Sequence, residues 1–431
     1  MVLRLDASDP GFAPAFDEFV ARGRDGDGNV RDAVAGIIAR VRAEGFAAVA
    51  GLTARFDGHG VDETTARVSA DDLDRASHAL DPELLAALRL AADRIRAFHE
   101  KQRPDDYRET DAAGLTLGWR WTPVDAAGLY APGGRAAYPS SVLMNAIPAK
   151  AAGVERLVMC APTPGGVDNP VVLAAAALAG VDEVWRIGGA QAIAAMAFGA
   201  GPIRPVDVVV GPGNAYVAEA KRQVFGDVGL DAVAGPSEIA VIADAANDPR
   251  WIAADLLSQA EHDPTSQAVL LTDDSGFADA VASAAAAQLA DHPRKDIAET
   301  AWRENSAIIV VGSIRDAAAL VDRLAPEHLE LAVEHPEALL ALVRHAGAIF
   351  LGRHAPEALG DYLAGPNHVL PTSGAARYAS GLSTLTFMKR TTIVGADANA
   401  IAAVGAAAAR LADAEGLPGH ALSIRLRLAA T

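Results

Sequence analysis

The chain has 431 residues, of which 51% are hydrophobic and only 5% aromatic, and its formal net charge is −18. This length exceeds what one hydrophobic core normally fills, so it predicts two or more domains. The abundance of Ala and Val is typical of helices packed on parallel sheets. The negative charge argues against a nucleic-acid partner, which would need clustered Lys and Arg.

The N-terminal sequence predicts neither export nor membrane insertion. It reads MVLRLDASDPGF, without a basic stretch before an apolar one, and no window approaches 18 uninterrupted apolar residues. Cys160 is the only cysteine, so no disulfide can form within the chain. We therefore expect a reducing compartment, the cytoplasm.

The N-terminal quarter is predicted to be mostly helical after a short leading arm. Within residues 30–56, apolar residues recur at three- and four-residue spacing, which indicates an amphipathic helix. A second helical stretch spans about 71–103 and ends before Pro104.

From residue 155 onward, apolar runs of strand length alternate with helical patterns. Three units follow one another, beginning at RLVMCAP, DEVWRI and VDVVVGPGN. A second series contains GPSEIAVIAD, a helix at 249–261, and strands at 267–273, 306–312 and 346–352. Such repeated βα units predict parallel sheets with right-handed crossovers.

The predicted fold class is therefore α/β, with two Rossmann-like domains that contain parallel sheets, a helical N-terminal arm and a small C-terminal helical segment. The expected division is an arm at 1–25, a first, mostly helical part of domain 1 at 26–128, an inserted domain 2 at 129–237, the second part of domain 1 at 238–380, and a C-terminal segment at 381–431.

Several polar residues are candidate metal ligands. Gln259 and His262 are three residues apart before Pro264, so they share one helix face and can point at one ion. Asp361 and His420 lie in stretches rich in Gly and Pro. Their side chains suit zinc, but a polar helix end, a turn Asp and a surface His explain the same residues.

The segment APEHLEL places Glu327 beside His328 in an apolar stretch. His is the usual general base near neutral pH, and burial can raise the pKa of a Glu until it serves as one. The alternative is the first turn of a helix, with Pro326 at its first position and Glu327 favoured by the helix dipole.

Glycine-rich turns at 188–189, 211–214 and 235–237 lie where strands should lead into helices. Free backbone N–H groups at helix starts bind phosphates, so these turns are candidates for a dinucleotide pyrophosphate. Strand-ending glycines are also routine in α/β folds, and no G-x-G-x-x-G occurs in the expected context. These turns alone do not predict NAD.

Cys160 lies at the end of a predicted strand, where a buried structural thiol is expected. If the protein oxidises an aldehyde, activated water should therefore act in place of a thiol nucleophile.

Taken together, the chain closely resembles the histidinol dehydrogenase family. The matching segments keep the family's order and cover nearly the whole chain: LYAPGGRAAYPSSVLMNAIPAKAAGV, GGAQAIAAMAFG, VVGPGNAYVAEAK, AGPSEIAVIAD, DLLSQAEHDP, LAPEHLEL, GDYLAGPNHVLPTSGAARYASGLS and AEGLPGHALSIRLR.

The resemblance implies a cytoplasmic enzyme that oxidises L-histidinol through L-histidinaldehyde to L-histidine with two NAD and one Zn²⁺ per subunit, the last step of histidine biosynthesis. It implies the catalytic pair Glu327 and His328. The implied zinc ligands, which also bind substrate, are Gln259, His262, Asp361 and His420. The further substrate contacts are Ser237, His328, His368 and Glu415, and the NAD contacts are Tyr130, Gln191 and Asn214.

The family also implies a homodimer whose C-terminal segment crosses to the partner, so that Glu415 and His420 complete the neighbouring active site. Two departures, Gly45-Phe46 where the family commonly has Gly-Asp and Gly419 where it commonly has Ala, are expected to affect packing or flexibility only.

Three other functions remain open from the sequence. One is a related zinc/NAD dehydrogenase for another small alcohol, such as a sulfonated diol. The others are a zinc lyase or hydrolase without nicotinamide, and a non-catalytic small-molecule-binding protein.

Overall fold

The structure is a computed structural model that describes residues 2–21, 28–132, 138–233 and 235–430. The helices of these ranges are α1 (Phe12–Ala21), α2 (Gly28–Glu44), α3 (Phe46–Phe56), α4 (Ala70–Ala79), α5 (Pro82–His99), α6 (Pro139–Ala152), α7 (Pro170–Ala179), α8 (Gly189–Phe198), α9 (Ala215–Val224), α10 (Pro249–Ala260), α11 (Ser275–Ala290), α12 (Lys295–Glu304), α13 (Ala317–Leu324), α14 (Pro336–Leu340), α15 (Glu357–Tyr362), α16 (Ala398–Ala414) and α17 (Pro418–Leu428).

The strands of the same ranges are β1 (Leu3–Asp6), β2 (Tyr107–Thr110), β3 (Thr116–Pro123), β4 (Ala126–Tyr130), β5 (Arg156–Cys160), β6 (Glu183–Trp185), β7 (Val208–Val210), β8 (Gly229–Leu230), β9 (Glu238–Ala243), β10 (Gln267–Thr272), β11 (Ala307–Val310), β12 (His328–Ala332), β13 (Ala348–Leu351) and β14 (Met388–Gly395).

Two parallel sheets form the centre of the molecule, which confirms the α/β fold class. The first sheet has the order β1-β11-β10-β9-β12-β13 and the second the order β6-β5-β4-β7-β8. Every neighbouring pair in both sheets is parallel. Their central strands are short, mostly apolar and buried on both faces, as expected when helices cover each side.

The first residues differ from the predicted arm, because they are part of the first sheet. Leu3–Asp6 pairs in parallel with Ala307–Val310. Helix α1 then buries Phe16 and Phe19 in the core beneath that sheet. The burial of these two aromatic side chains stabilises the packing of the N-terminal segment on the sheet. The short sequence pattern of the segment did not predict this.

The two long helices predicted in the N-terminal quarter are each divided in two. Gly45 adopts a φ of 59° and separates α2 from α3, a conformation that glycine accepts at little cost. Asp81 accepts hydrogen bonds from two N–H groups of the first turn of α5, and Pro82 begins that helix. The apolar periodicity continues across both breaks, so it did not reveal them.

The packing of the N-terminal helices differs from the expected domain division. Residues 26–128 were assigned to domain 1, but α2 packs on α8 and α9, α4 on α7, and α5 on α6. These helices therefore share their cores with the second sheet, because their apolar faces pack against the Ala-rich helices that cover it. The other boundaries of the domain division remain predictions.

A small antiparallel sheet was not predicted. Strand β3 pairs with β2 on one side and with β14 on the other, so the segment after residue 381 is not purely helical. Strands β2 and β14 are largely exposed, β3 is mostly half-buried, and none has the continuous apolar face that sequence reasoning uses as its signal. Among the described residues, no helix is long and apolar enough to cross a membrane.

Candidate functional site

A cluster of buried polar side chains lies at the amino edge of the first sheet. Strand β12 starts at His328 and β9 starts just after Ser237, and because the strands are parallel both starts lie at the same edge. Helix α10 runs back to this edge and carries Gln259 in its last turn. Three of the predicted site residues are thus brought to one edge by the fold.

Glu327 and His328 are not in the first turn of a helix, so that alternative is wrong. Helix α13 ends at Leu324, Ala325 has a φ of 49°, and His328 is the first residue of β12. Gly347 and Ala348 donate backbone hydrogen bonds to the carbonyls of the residues just before the strand. Pairing with the neighbouring strands overrides the local helix-start signal.

The hydrogen bonds of His328 assign its ring nitrogens. Nδ1 lies 3.0 Å from the carbonyl oxygen of Glu238, which can only accept, so Nδ1 carries the proton. Nε2 has no hydrogen-bond partner and lies 3.6 Å from an oxygen of Glu357. Burial lowers the pKa of His328 to about 4, so the neutral ring presents a lone pair at Nε2.

The carboxyl group of Glu327 is also buried. Its Oε2 accepts a hydrogen bond of 3.0 Å from the backbone N–H of Glu238 and lies 3.7 Å from Nδ1 of His328. Burial raises the pKa of Glu327 well above its ordinary value. A carboxylate with a raised pKa is a stronger base, which suits proton abstraction near neutral pH.

Gln259 is the most unusual member of the cluster. Its side chain is fully buried, yet neither Oε1 nor Nε2 has a hydrogen-bond partner. A buried amide without partners is costly, and such groups require an explanation. His262 lies three residues further on, in the turn after α10 ends at Ala260, and so not on the helix face where it was predicted. It is close enough to Asp361 for that charge to raise its pKa, although desolvation has the larger effect and lowers it.

Asp361 lies beside His368 and Glu357. Oδ1 of Asp361 is 3.5 Å from Nδ1 of His368. Burial raises the pKa of Asp361, but the hydrogen bond and charge of His368 outweigh this and bring it below its ordinary value. Asp361, Glu357 and His328 each offer a ligand atom within 4.8 Å of the others, so the structure brings together a group able to hold a metal ion.

Sequence reasoning missed Glu357. Its side chain is 3% exposed, and burial together with the charge of Asp361 raises its pKa to about 9. Glu357 precedes Asp361 by four residues in α15, so the two share a helix face. The four-residue spacing of Glu357 from the candidate ligand Asp361 could have indicated it from the sequence.

Helix α6 of the second sheet's unit holds the loop that carries His368. Pro148 lies inside α6 and has no N–H, so the carbonyl of Met144 lacks its helical donor. Nδ2 of Asn367 donates to that carbonyl at 2.6 Å. Oγ of Ser141 lies 3.4 Å from Nε2 of His368, so the cluster contacts both parallel-sheet units.

Glu415 and His420 are not brought to this cluster. Both are exposed, on α16 and α17, which pack chiefly against each other. Within the described ranges, neither residue forms a hydrogen bond or an ion pair with the cluster. A complete set of the predicted zinc ligands is therefore not assembled within one chain.

The predicted NAD contacts lie at the carboxyl edge of the second sheet. Tyr130 ends β4, and its hydroxyl accepts a hydrogen bond of 3.0 Å from the N–H of Gly189. Gln191 is 1% exposed, and both of its side-chain polar atoms lack partners. Asn214 is exposed, and its Oδ1 caps α9 by accepting from Tyr216 and Val217.

Cys160 is fully buried, and burial raises the pKa of its thiol far above the ordinary value. The thiolate is therefore strongly disfavoured, as expected for a structural cysteine. The burial confirms the expectation that this residue is not a nucleophile.

Comparisons with known proteins agree over the length of the chain. The family model described as histidinol dehydrogenase matches residues 20–428. The histidinol dehydrogenase of Rhodospirillum rubrum is 60% identical over 429 residues, with 99% of each chain covered. That of Cereibacter sphaeroides is 57% identical, with 98% of each chain covered.

A solved structure also matches closely. The crystal structure of histidinol dehydrogenase from Elizabethkingia anophelis superposes with a TM-score of 0.94 at 35% identity, covering 100% of this chain and 98% of that one. The match includes both parallel sheets and the edges at which the buried polar residues lie.

Proposed function

Because the chain belongs to the histidinol dehydrogenase family and is thus an NAD-dependent oxidoreductase, we propose that it oxidises L-histidinol through L-histidinaldehyde to L-histidine. We propose that it uses two NAD and one zinc ion per site and acts in the cytoplasm. The observation that carries the proposal is the buried, unpartnered amide of Gln259 on α10, a helix that contacts α15, where Glu357 and Asp361 form a group with His328 that could hold a metal ion.

The residues present fit a zinc ion. A metal ligand is a partner that explains why Gln259 is buried without hydrogen bonds. Asp361 supplies a carboxylate and His262 a neutral imidazole, since the pKa of Asp361 is lowered and desolvation lowers that of His262. Gln259, His262 and Asp361 would thus hold the ion, with His420 of a second copy as the fourth ligand.

When bound, zinc supplies a Lewis acid that orients the amino alcohol, and NAD supplies the hydride acceptor. His328 accepts the hydroxyl proton at Nε2, the nitrogen left without a hydrogen bond. Glu327 then removes a proton from the water that adds to the aldehyde. The inert Cys160 leaves water as the nucleophile of the second oxidation.

The charge of the site supports a cationic substrate. Glu327, Glu357 and Asp361 all act electrostatically on one another within a buried region. Asp361, the one of the three whose pKa is lowered, is the ionised carboxylate; it would repel a sulfonate and attract an ammonium or imidazolium group. The related dehydrogenase for a sulfonated diol is therefore not favoured. Ser237 and His368 remain the proposed substrate contacts within this chain.

For NAD, we propose contacts with Tyr130, Gln191 and Asn214. The unpartnered amide of Gln191 supports this assignment. Asn214 contributes through its amide nitrogen, because its oxygen caps α9. The turn at 188–189 follows a strand and begins a helix, which is the usual setting for a pyrophosphate.

We propose a homodimer in which Glu415 and His420 complete the site of the second copy. Helices α16 and α17 leave three large apolar side chains more than half exposed: Leu411, Leu422 and Leu426. Such side chains on a helix pair that packs weakly on its own chain are typical of a subunit interface.

The reaction is tested with zinc-loaded protein, L-histidinol and NAD. Two NADH formed per histidinol are expected, with histidine as the product. Absence of NADH at every substrate concentration would refute the proposal, and one NADH per histidinol would refute the second oxidation.

Shared sites are tested by subunit complementation. His420→Ala and Asp361→Asn should each be inactive alone. A mixture that is unfolded and refolded together should regain activity, because one of the two sites in a mixed dimer combines Asp361 of the first variant with His420 of the second. A mixture that stays inactive, with dimers of both kinds shown to form, would contradict a site built from two chains.

A further inference from the structure

A buried ion pair lies beneath the second sheet's carboxyl edge, outside the chemistry described above. Lys221 of α9 pairs with Asp231, which follows β8, and each side chain is only 2% exposed. Removing two charges from water often costs more than their attraction returns. Stability alone is therefore a weak reason for such a pair, and its neighbours indicate another.

Both charged groups bind the same residue. Nζ of Lys221 donates to the carbonyl of Gly211 at 2.9 Å, and Oδ2 of Asp231 accepts from the N–H of Gly211 at 2.8 Å. The ion pair thus holds Gly211 at its amide nitrogen and at its carbonyl oxygen. Because one partner of each hydrogen bond is a charged side chain, these bonds are stronger than neutral ones.

Gly211 needs such support because its backbone is unusual. Its φ is 111°, and a Cβ there would lie 2.3 Å from the carbonyl oxygen of Tyr130. The turn that Gly211 begins therefore packs directly on the residue that ends β4. That same Tyr130 contacts the other glycine turn through the N–H of Gly189, so the pair supports a region where both turns meet.

We propose that Lys221 and Asp231 are positioning residues for the dinucleotide: their ion pair fixes the turn at 211–214 against Tyr130 in the conformation that binds NAD. This inference rests on the proposed function, which assigns NAD to this edge. It predicts a role in cofactor binding for two residues whose side chains are too deeply buried to contact the cofactor.

The test compares two charge-neutral double variants. In Lys221→Met with Asp231→Asn, the Asn oxygen still accepts from Gly211, but the donor to its carbonyl is lost. The control is Lys150→Met with Asp182→Asn, a more exposed ion pair (33% and 43%) with the same hydrogen-bond pattern at the amino edge of the same sheet. There Lys150 donates to Asp182 at 2.9 Å, and Asp182 accepts from the N–H of Leu157 at 2.8 Å.

The affinity for NADH, measured by fluorescence titration, should fall about tenfold or more in the first variant and stay near wild type in the control. The KM for L-histidinol at saturating NAD should change little in either. Amide hydrogen exchange, followed by mass spectrometry without NAD, should become faster over 211–217 in the first variant only, which reports on the turn independently of activity.

Equal NADH affinity in the first variant and wild type would overturn the inference, as would equal losses in both variants. If Lys221→Met with Asp231→Asn fails to fold, Asp231→Asn alone provides the same readouts with the acceptor retained and the ion pair weakened. Wild-type protein that binds no NADH would instead refute the proposed function, and the inference with it.

Discussion

Replacing Gln259 by Met should stabilise the metal-free protein while removing much of its response to zinc. The Gln259 side chain is 0% exposed, and both polar atoms lack partners. Leaving a polar amide buried and unpaired costs about 1–3 kcal/mol. Met has a similar length and no such requirement, so the free energy of unfolding of the metal-free variant should rise by about that amount.

The sign of the effect reverses when zinc is present. A ligand that binds only the folded state stabilises it by an amount that rises with the logarithm of its affinity. Wild type should therefore gain more stability on zinc addition than Gln259→Met does. Urea unfolding in chelator-treated and zinc-loaded samples measures both quantities.

Gln191 offers a matched control, because it is a second buried Gln whose polar atoms both lack partners. Gln191→Met should stabilise the ligand-free protein similarly, keep the full response to zinc and lose affinity for NAD. A lower stability of metal-free Gln259→Met, or an undiminished zinc response, would refute the assignment of Gln259 as a ligand.

Three further predictions concern other buried groups. Glu327→Gln should reduce the rate of histidinaldehyde oxidation by about 10²–10⁴-fold and the rate of histidinol oxidation less. The yield of NADH per histidinol separates the two steps. Equal losses in both steps would assign Glu327 another role. In metal-free protein, Glu357→Gln should become more stable relative to wild type as pH rises from 4.5, the ordinary pKa of a Glu, towards about 9. In this range the Glu357 carboxyl keeps its proton in the folded wild type and loses it on unfolding, which favours the unfolded state. Parallel profiles of Tm against pH would contradict this. Asn367→Leu leaves the carbonyl of Met144 unpaired and should cost about 1–3 kcal/mol in urea unfolding. Adding Pro148→Ala restores a helical N–H donor to the carbonyl of Met144. This substitution should therefore stabilise the Asn367→Leu variant more than it stabilises wild type. Equal stabilisation in both backgrounds would argue against the shared role of Asn367 and the carbonyl of Met144.

The parallel strands were predictable because each is a short apolar run that ends at a turn and leads into a helical pattern. RLVMCAP and QAVLLTD correspond to β5 and β10 with small differences at the ends. The antiparallel sheet was not predictable in this way. Its strand Met388–Gly395 is exposed along most of its length, so burial imposes no alternation on its sequence.

The candidate site was predictable from the order of family motifs, but not from local spacing. Glu327 and His328 follow a Pro that indicates a helix start, whereas pairing with β9 makes His328 begin a strand. Gln259 and Asp361 lie about a hundred residues apart in sequence, and only the fold brings them to one region. The unpartnered state of Gln259 is a property of packing that sequence cannot reveal.

The two sheet edges that carry the candidate residues have opposite backbone polarity. On the side of the first sheet, α10 ends near Gln259 and directs its carbonyl groups, the negative end of the helix dipole, towards the cluster. On the side of the second sheet, α8 and α9 begin and direct their N–H groups, the positive end. The first edge therefore favours cations and the second favours anions. The backbone alone would thus sort the proposed ligands by charge, with the metal ion and the ammonium group of the alcohol at the first edge and the pyrophosphate of the oxidant at the second.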